Sequence, residues 1–555
     1  MKKSTPITRD CIRKLIGEGH LIVIFEQKVL RLDVWAERHP GMREKSLAAP
    51  LIELEKVNAN FFCSVIAGGK LPILHMVGKD ASDQINVYHS DETLQSMKLY
   101  SIGTFCEPWV DMEPPISSKP EELSGFLAHS AIPADKKDMD SVGSSSIVSE
   151  SARSFTHLAE MQDIEKALRN YPSLDPETQR DITRKFRKLH LKVRKQGLYD
   201  CNYSNYVFDF VRYVVLFGLF IAFFSRGYHL LSACFLGFFW QQIMFVAHDA
   251  GHLAITHNVM ADTVIGVIVA DLCCGLSLGW WKSSHNVHHL VPNHPEHDPD
   301  IQNVPLLATS PMFFKSIRST YYNGSLFPWD ATASFFVEIQ KYTYYPIMCV
   351  ARFNLYLLSW QHLIFSLPVL KKEDRKLRST PTSTLWILYL ELVCMAIYWY
   401  LHINLLLSIP DFHTRVLFVL LSHSVSLLLH IQITLSHFGM STADLGPVES
   451  FAQKQLRTTM DVACPSYLDW FHGGLQFQVI HHLFPRMPKH NYRQAQVLVR
   501  EFCKETGIKY TIFGFVDSNK FVLERLGEIA KQVGMLRFCQ KHMGEDVFNG
   551  KATSR

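Results

Sequence analysis

The sequence has no Cys-x-x-Cys pair, no apolar run behind its first methionine, and little charge. Its twelve cysteines are scattered from Cys11 to Cys539, with only Cys273 and Cys274 close together. That spacing excludes a zinc ribbon and a disulfide framework, and it fits a reducing, cytosol-facing compartment. The opening Met-Lys-Lys-Ser-Thr-Pro lacks the hydrophobic stretch of a secretory signal, so the first domain is expected to stay in the cytosol. Charged residues are 19% of the chain, against roughly 25% in a typical soluble protein. Hydrophobic residues reach 47% and the net charge is only +4, which argues against disorder and against a nucleic-acid partner. The 555 residues amount to about three to four domains' worth of chain. Histidine is what the chain has in quantity: of 27, 19 lie between His229 and His490.

Apolar segments at Val207 to Phe224 and His229 to Ala247, joined by Ser225-Arg226-Gly227, come close to the roughly 20 residues of a membrane span. A second pair runs from Thr384 to Ile409 and from Arg415 to Phe438. The expectation is four transmembrane helices in two hairpins. Ala261 to Leu278 and Pro346 to Leu370 are also apolar, but Asp262, Asp271, Arg352 and Asn354 make interfacial or re-entrant helices the better reading. Lys371, Lys372, Arg375, Lys376 and Arg378 precede the third span and assign that side, with both termini, to the cytosol. Asp111 to Ser154 is rich in Ser, Pro and mixed charge and reads as a flexible linker. Met161 to Gly197 has the pattern of two amphipathic helices, suited to an anionic membrane face or to packing on the membrane domain.

Three clusters account for the histidine excess: His248-x-x-x-His252, His285-x-x-His288-His289 and Gln478-x-x-His481-His482. Helical residues three or four apart share a face, so each cluster is a preformed half-clamp. A lone histidine in an apolar helix is more often structural; three clusters where apolar segments meet the cytosolic side reverse that reading. Imidazole suits Zn, Cu, Fe and Ni. Seven histidines exceed the four ligands of a tetrahedral zinc, and two redox-active irons absorb the surplus. The Glu and Glu-x-x-His set of a soluble di-iron bundle is absent. An intramembrane zinc hydrolase or metal transporter is the reading from a different class, and it would need neither O2 nor a haem domain. A metal-free, structural reading predicts that His288→Ala and His482→Ala leave activity intact.

The boxes H-x-x-x-H, H-x-x-H-H and Q-x-x-H-H, in this order between Tyr203 and Tyr510, resemble those of the membrane fatty-acid desaturase family. The resemblance implies an O2-dependent di-iron lipid desaturase, an α-helical integral membrane protein with a cytosolic histidine-ligated di-iron cap. It makes His248, His252, His285, His288, His289, His481 and His482 catalytic metal ligands, completed by His437 from the last span. His430 and His423 are then structural, and Gln478 orients a ligand or bridges through water. His257, His294 and His297, with Asp249, Asp298, Asp300, Asp461 and Asp469, are candidates to support the ligands from behind. Gln478 in place of a histidine resembles the front-end subgroup. Trp280-Trp-Lys-Ser-Ser-His285, His297-Asp-Pro-Asp-Ile-Gln302 and Gly473-Gly-Leu-Gln-Phe-Gln478 are most similar to fungal delta-8 sphingolipid desaturases. That likeness implies an E double bond in the long-chain base of ceramide, on the way to glucosylceramide, at the endoplasmic reticulum membrane. A delta-6 acyl-lipid desaturase is the alternative, and a lipid hydroxylase on the same scaffold a third.

Residues 5–110 resemble the cytochrome b5 haem domain, a small α+β fold, through Asp33-Val-Trp35, His39-Pro40-Gly41, Gly69-Lys70-Leu71, Gly78-Lys-Asp80-Ala81-Ser82 and Val87-Tyr88-His89-Ser90. The likeness implies haem b held between His39 and His89, electrons from NADH through a separate NADH-cytochrome b5 reductase, and transfer on to iron. Bis-histidine ligation leaves no open axial position and suits electron transfer. In that family His-Pro-Gly-Gly is continuous; here the 27 residues Met42 to Gly68 intervene, and removing them brings the two histidines from 50 positions apart to 23. Asn58-Ala-Asn-Phe-Phe62, Ile66-Ala-Gly68 and Gly41-Met-Arg43 are compatible with translated splice signals, so 42–68 is read as a retained intron. The remaining domains are a linker at 111–160, amphipathic helices at 161–202, the desaturase domain at 203–515 and a C-terminal cytosolic tail at 516–555.

Overall fold

The computed structural model describes residues 6–38, 70–117, 144–367 and 382–548. His39, the 42–68 segment and the basic run 371–378 lie outside them.

The N-terminal unit is a three-stranded antiparallel sheet, Ile22–Phe25, Lys28–Arg31 and Ser101–Thr104, with short helices around it. Glu26 and Gln27 both take positive φ, the conformation a two-residue hairpin needs. Val23, Phe25 and Leu30 from the sheet meet Ile73, Ile85 and Leu94 from the helices in one core.

The helix Ser144–Asn170 begins inside the stretch expected to be linker, and Thr156 and Ala159 are buried along it. The following helix, Pro176–Lys195, is called the shoulder helix below. Asp175 caps it by accepting from the Glu177 and Thr178 amides, and Pro176 supplies the fixed φ of a first turn. Ile182, Phe186, Leu189 and Val193 repeat at helical spacing and are buried, with Phe186 stacked on Phe484 at 5.9 Å. The shoulder helix therefore packs on protein along that face, the second of the two readings its sequence allowed.

Among the described residues, four helices are long and apolar enough to cross a membrane: Tyr203–Ser225, His229–Gly251, Leu385–Leu407 and Phe412–Leu435. Of an apolar 18-residue stretch in each, only 17% is buried inside the protein in the first against 61% in the second, so the second is the inner helix of the bundle. The charges that interrupt the first span are matched: Asp209 meets Arg212 at 2.5 Å and Lys489 at 3.0 Å. Where His229–Gly251 crosses Phe412–Val425, Gly237 lets the backbones touch; a Cβ there would collide with the Ser422 carbonyl and Val425. The last span breaks at Ser426, whose hydroxyl donates to the His423 carbonyl at 2.6 Å and takes over a bond of the helical ladder.

Above the spans, a cap is built from Leu278–Leu290, Phe451–Thr458, Gln478–Leu483 and Tyr492–Thr506, plus a parallel strand pair, Asp461–Ala463 with Ile512–Gly514. The segment from 516, expected as a tail, is helical: Phe515–Phe548 puts Val522, Leu526, Ile529 and Val533 into the core. Its apolar residues at helical spacing make a buried face rather than a solvated end.

Candidate metal centre

The first box sits on the last turn of His229–Gly251, with His252 as its C-cap. Gly251 leaves room for the Trp281 ring, which a Cβ would strike, and Trp281 stacks on His285 at 4.4 Å. The second box lies on Leu278–Leu290, whose first turn is capped by Ser277. The third is the six-residue helix Gln478–Leu483, which starts where the Asp461 carboxylate accepts from the Val479 amide at 2.9 Å.

The fold gathers these imidazoles into two groups. Ligand nitrogens of His248, His252, His285 and His481 lie within 4.8 Å of one another, and so do those of His288, His437 and His482. His289 stands between the groups, its Nε2 3.0 Å from His285 Nε2 and its ring stacked on His482 at 4.2 Å. All seven box histidines and His437 thus share one cluster. Gln478 opens the third helix and is buried.

The nitrogens facing away from the cluster are held. Asp298 lies 2.8 Å from His288 Nδ1, Tyr492 Oη 2.9 Å from His481 Nδ1, and Gln455 Oε1 3.0 Å from His482 Nδ1. Gln455 also donates its amide to the His289 carbonyl at 2.7 Å, tying the second box to the third. Asn293 donates to the carbonyls of His437 at 2.9 Å and Thr458 at 3.1 Å. Nε2 of His248, His252, His481 and His482 and Nδ1 of His437 are buried without a partner, as is Nδ1 of His289. Buried polar atoms are rarely left so, and the five of these nitrogens that belong to the two groups are a donor set for metal. Two groups suit two ions of the imidazole-preferring kind, iron among them.

Electrostatics sorts the two groups. Burial, reinforced by neighbouring imidazoles, holds His252, His289, His437, His481 and His482 well below the usual histidine range, so they are neutral lone-pair donors at neutral pH. Burial acts on His288 in the same direction, but the Asp298 and Asp300 carboxylates outweigh it and raise this histidine to about 9. Asp300 also lies 3.6 Å from His285 Nδ1, so carboxylates face both groups and His288 is the histidine they raise.

Other expected participants lie elsewhere. His430 gives Nδ1 to the Met348 carbonyl, and His423 gives its own to the Val419 carbonyl while stacking on Phe353 at 4.5 Å; neither belongs to the two histidine groups. His257 sits between two carbonyls, those of Leu253 and Tyr199, each at 2.8 Å. His294 and His297 stack on each other at 4.0 Å. Of the acids, Asp298 and Asp300 face the second box, Asp249 accepts from Tyr206 at 2.7 Å, and Asp469 pairs with Arg493. Of the two expected haem ligands, His89 ends the helix Ser82–Tyr88. Gln455, Tyr492 and Asn293 carried no motif, and nothing local in the sequence marks them.

The "Fatty acid desaturase" family model matches residues 226–514. The protein named Delta 8-(E)-sphingolipid desaturase from Emericella nidulans is 44% identical, the alignment covering 97% of each chain. Its namesake from Komagataella phaffii is 40% identical over 99% of each. The Delta(8)-fatty-acid desaturase of Helianthus annuus is 37% identical over 63% of this chain and 74% of its own. With the three boxes assembled at one centre and a family match over more than half its length, this chain belongs to the fatty acid desaturase family.

Proposed function

We propose that this chain is a delta-8 sphingolipid desaturase that places an E double bond in the long-chain base of ceramide, in the route to glucosylceramide. The observation that carries the substrate reading is likeness over almost the whole length to fungal proteins of that name. The plant relatives, one of them named Acyl-lipid (9-3)-desaturase from Borago officinalis, align over only 63% of this chain.

The site residues proposed are His248, His252, His285 and His481 for one iron and His288, His437 and His482 for the other, with His289 between them. Bound there, the iron pair would supply the O2 chemistry that removes two hydrogens from adjacent methylenes and yields water. The protein's part is to fix the donors. Asp298 holds the His288 Nδ1 proton and Gln455 that of His482, so the opposite nitrogen of each imidazole points inward. Buried walls keep bulk water away from the ligands. Gln478, on the turn before His481, would set the third box's approach without direct ligation.

The N-terminal unit is proposed as a cytochrome b5-like domain with haem b between His39 and His89, reduced by NADH-cytochrome b5 reductase. The protein would sit in the endoplasmic reticulum membrane as two hairpins, with boxes and haem domain cytosolic, since the basic run at 371–378 adjoins the third span. The 42–68 segment is proposed to be intronic; mature transcripts that still encode it would refute this.

Expression in a host lacking both products, followed by analysis of sphingoid bases and acyl chains, tests the function. A new C8 double bond in the bases is expected. A new acyl double bond with unchanged bases would overturn the substrate reading, and a product that has gained oxygen would indicate hydroxylation.

A further inference from the structure

We infer that the shoulder helix Pro176–Lys195 is a docking latch for the N-terminal unit, in which Arg187 and Arg194 are positioning residues that seat Tyr88 against the backbone of His289. The geometry stands by itself; its purpose rests on the reading of that unit as the electron donor.

Arg187 and Arg194 are seven residues apart and share one side of the helix. Arg187 donates to Asp83 at 2.6 Å and to Asp80 at 3.3 Å, and Arg194 reaches both Asp91 oxygens at 2.5 and 2.6 Å. The three carboxylates bracket one segment: Asp80 and Asp83 stand at the start of the helix Ser82–Tyr88, and Asp91 at the start of Asp91–Met97. Each guanidinium grips one end of it. Between the grips, the Tyr88 hydroxyl donates to the His289 carbonyl at 3.2 Å, and Val87 is buried in the same core as Phe186 and Phe484. His75 gives a further contact, its ring 4.9 Å from His297.

The His289 carbonyl is also the acceptor for Gln455. The docked unit and a group that orients His482 therefore meet on one atom. The latch itself is anchored to the cap, because Lys192 pairs with Glu501 at 3.1 Å and Lys185 donates to the Glu505 carbonyl at 2.9 Å.

The grips differ in depth. Asp83 is only 8% exposed, whereas Arg194 and Asp91 are 40% and 65% exposed. Ion pairs open to water are individually weak and screened by salt. The exposed Arg194–Asp91 grip is therefore the one that releases and re-forms first, while the deeper Arg187–Asp83 pair and the covalent connection keep the unit at high local concentration.

The test uses the full-length, iron-loaded enzyme and hydrogen–deuterium exchange. In Arg187→Glu/Arg194→Glu, exchange across 82–97 is expected to quicken about tenfold. Exchange in Gln478–Leu483 and iron per chain should stay at the parent's values. NADH-driven desaturation should fall, while a single turnover of the dithionite-reduced enzyme persists. The charge swap Arg194→Asp with Asp91→Arg should restore protection. Unchanged exchange across 82–97 in the double variant would overturn the latch. Faster exchange with undiminished NADH-driven turnover would overturn its role in electron delivery. A parent enzyme that makes no sphingoid product would refute the substrate reading instead, and the exchange data would still decide the latch.

Discussion

Gln455 is the residue whose loss should separate ligand identity from ligand support. The His289 carbonyl can only accept, so the Gln455 amide nitrogen must face it, and Oε1 must face His482 Nδ1. His482 therefore carries its proton on Nδ1 and leaves Nε2 as the lone-pair donor for the proposed metal. Gln455→Leu removes both bonds at a position with no solvent access. A stranded Nδ1–H costs about 1–3 kcal/mol. The carbonyl loses less, because the Tyr88 hydroxyl at 3.2 Å still donates to it. Together the destabilisation should be about 2–4 kcal/mol. Iron affinity should drop about 10- to 100-fold through the freed ring, as for other groups that support metal-bound histidines. The assay is iron per chain after a graded chelator challenge, run beside thermal unfolding of the metal-free protein. Gln455→Glu should recover part of the iron retention, because it keeps the acceptor. If Gln455→Leu holds iron as tightly as the parent, the argument that this amide sets the His482 tautomer is wrong.

Three further outcomes are expected. His437→Ala should lower the iron content per chain, whereas His430→Ala, which removes only a bond to the Met348 carbonyl, should leave it unchanged; equal losses in elemental analysis would contradict the grouping. Gly237→Val should destabilise the bundle by about 1–3 kcal/mol, read as a lower unfolding temperature, because the added carbons meet Ser422 and Val425. His190 is buried against Phe484 and hydrogen-bonded to Tyr199, and burial depresses it from 6.5 to about 4. It must stay neutral in the fold, so the stability it allows is present above pH about 6.5 and is lost as pH falls towards 4, up to about 3 kcal/mol. Unfolding of His190→Gln across that range should show a shallower slope, and an identical slope would count against this assignment.

Much of this centre could be read in the chain because its chemistry is periodic. Histidines at i, i+3 and i+4 announce a ligand face whatever the fold, and His437 was reachable by its place at the end of the last span. Gln455, Tyr492 and Asn293 act across 27, 11 and 144 positions of sequence, and no helical or strand period connects them to their partners. The helix from Ser144 is hidden in the linker-like composition for a related reason. Ser and Thr depress helix propensity around 144–156, yet tertiary contacts of Thr156 and Ala159 sustain the helix. The break at Ser426 was equally hidden, since hydropathy registers an apolar run and is blind to a hydroxyl that bonds to its own backbone.

The short helix Gln478–Leu483 gives one histidine to each ligand group, His481 to the first and His482 to the second. The first group is whole only once residue 481 has been made and the second only at 482, by which time all four spans have been made. A nascent chain carrying only the first two boxes offers at most three of the four imidazoles of one group and one of the three of the other. On the proposed ligand sets, a chain terminated before Gln478 would keep all four spans yet lack one imidazole of each group, and should hold less iron than the full chain.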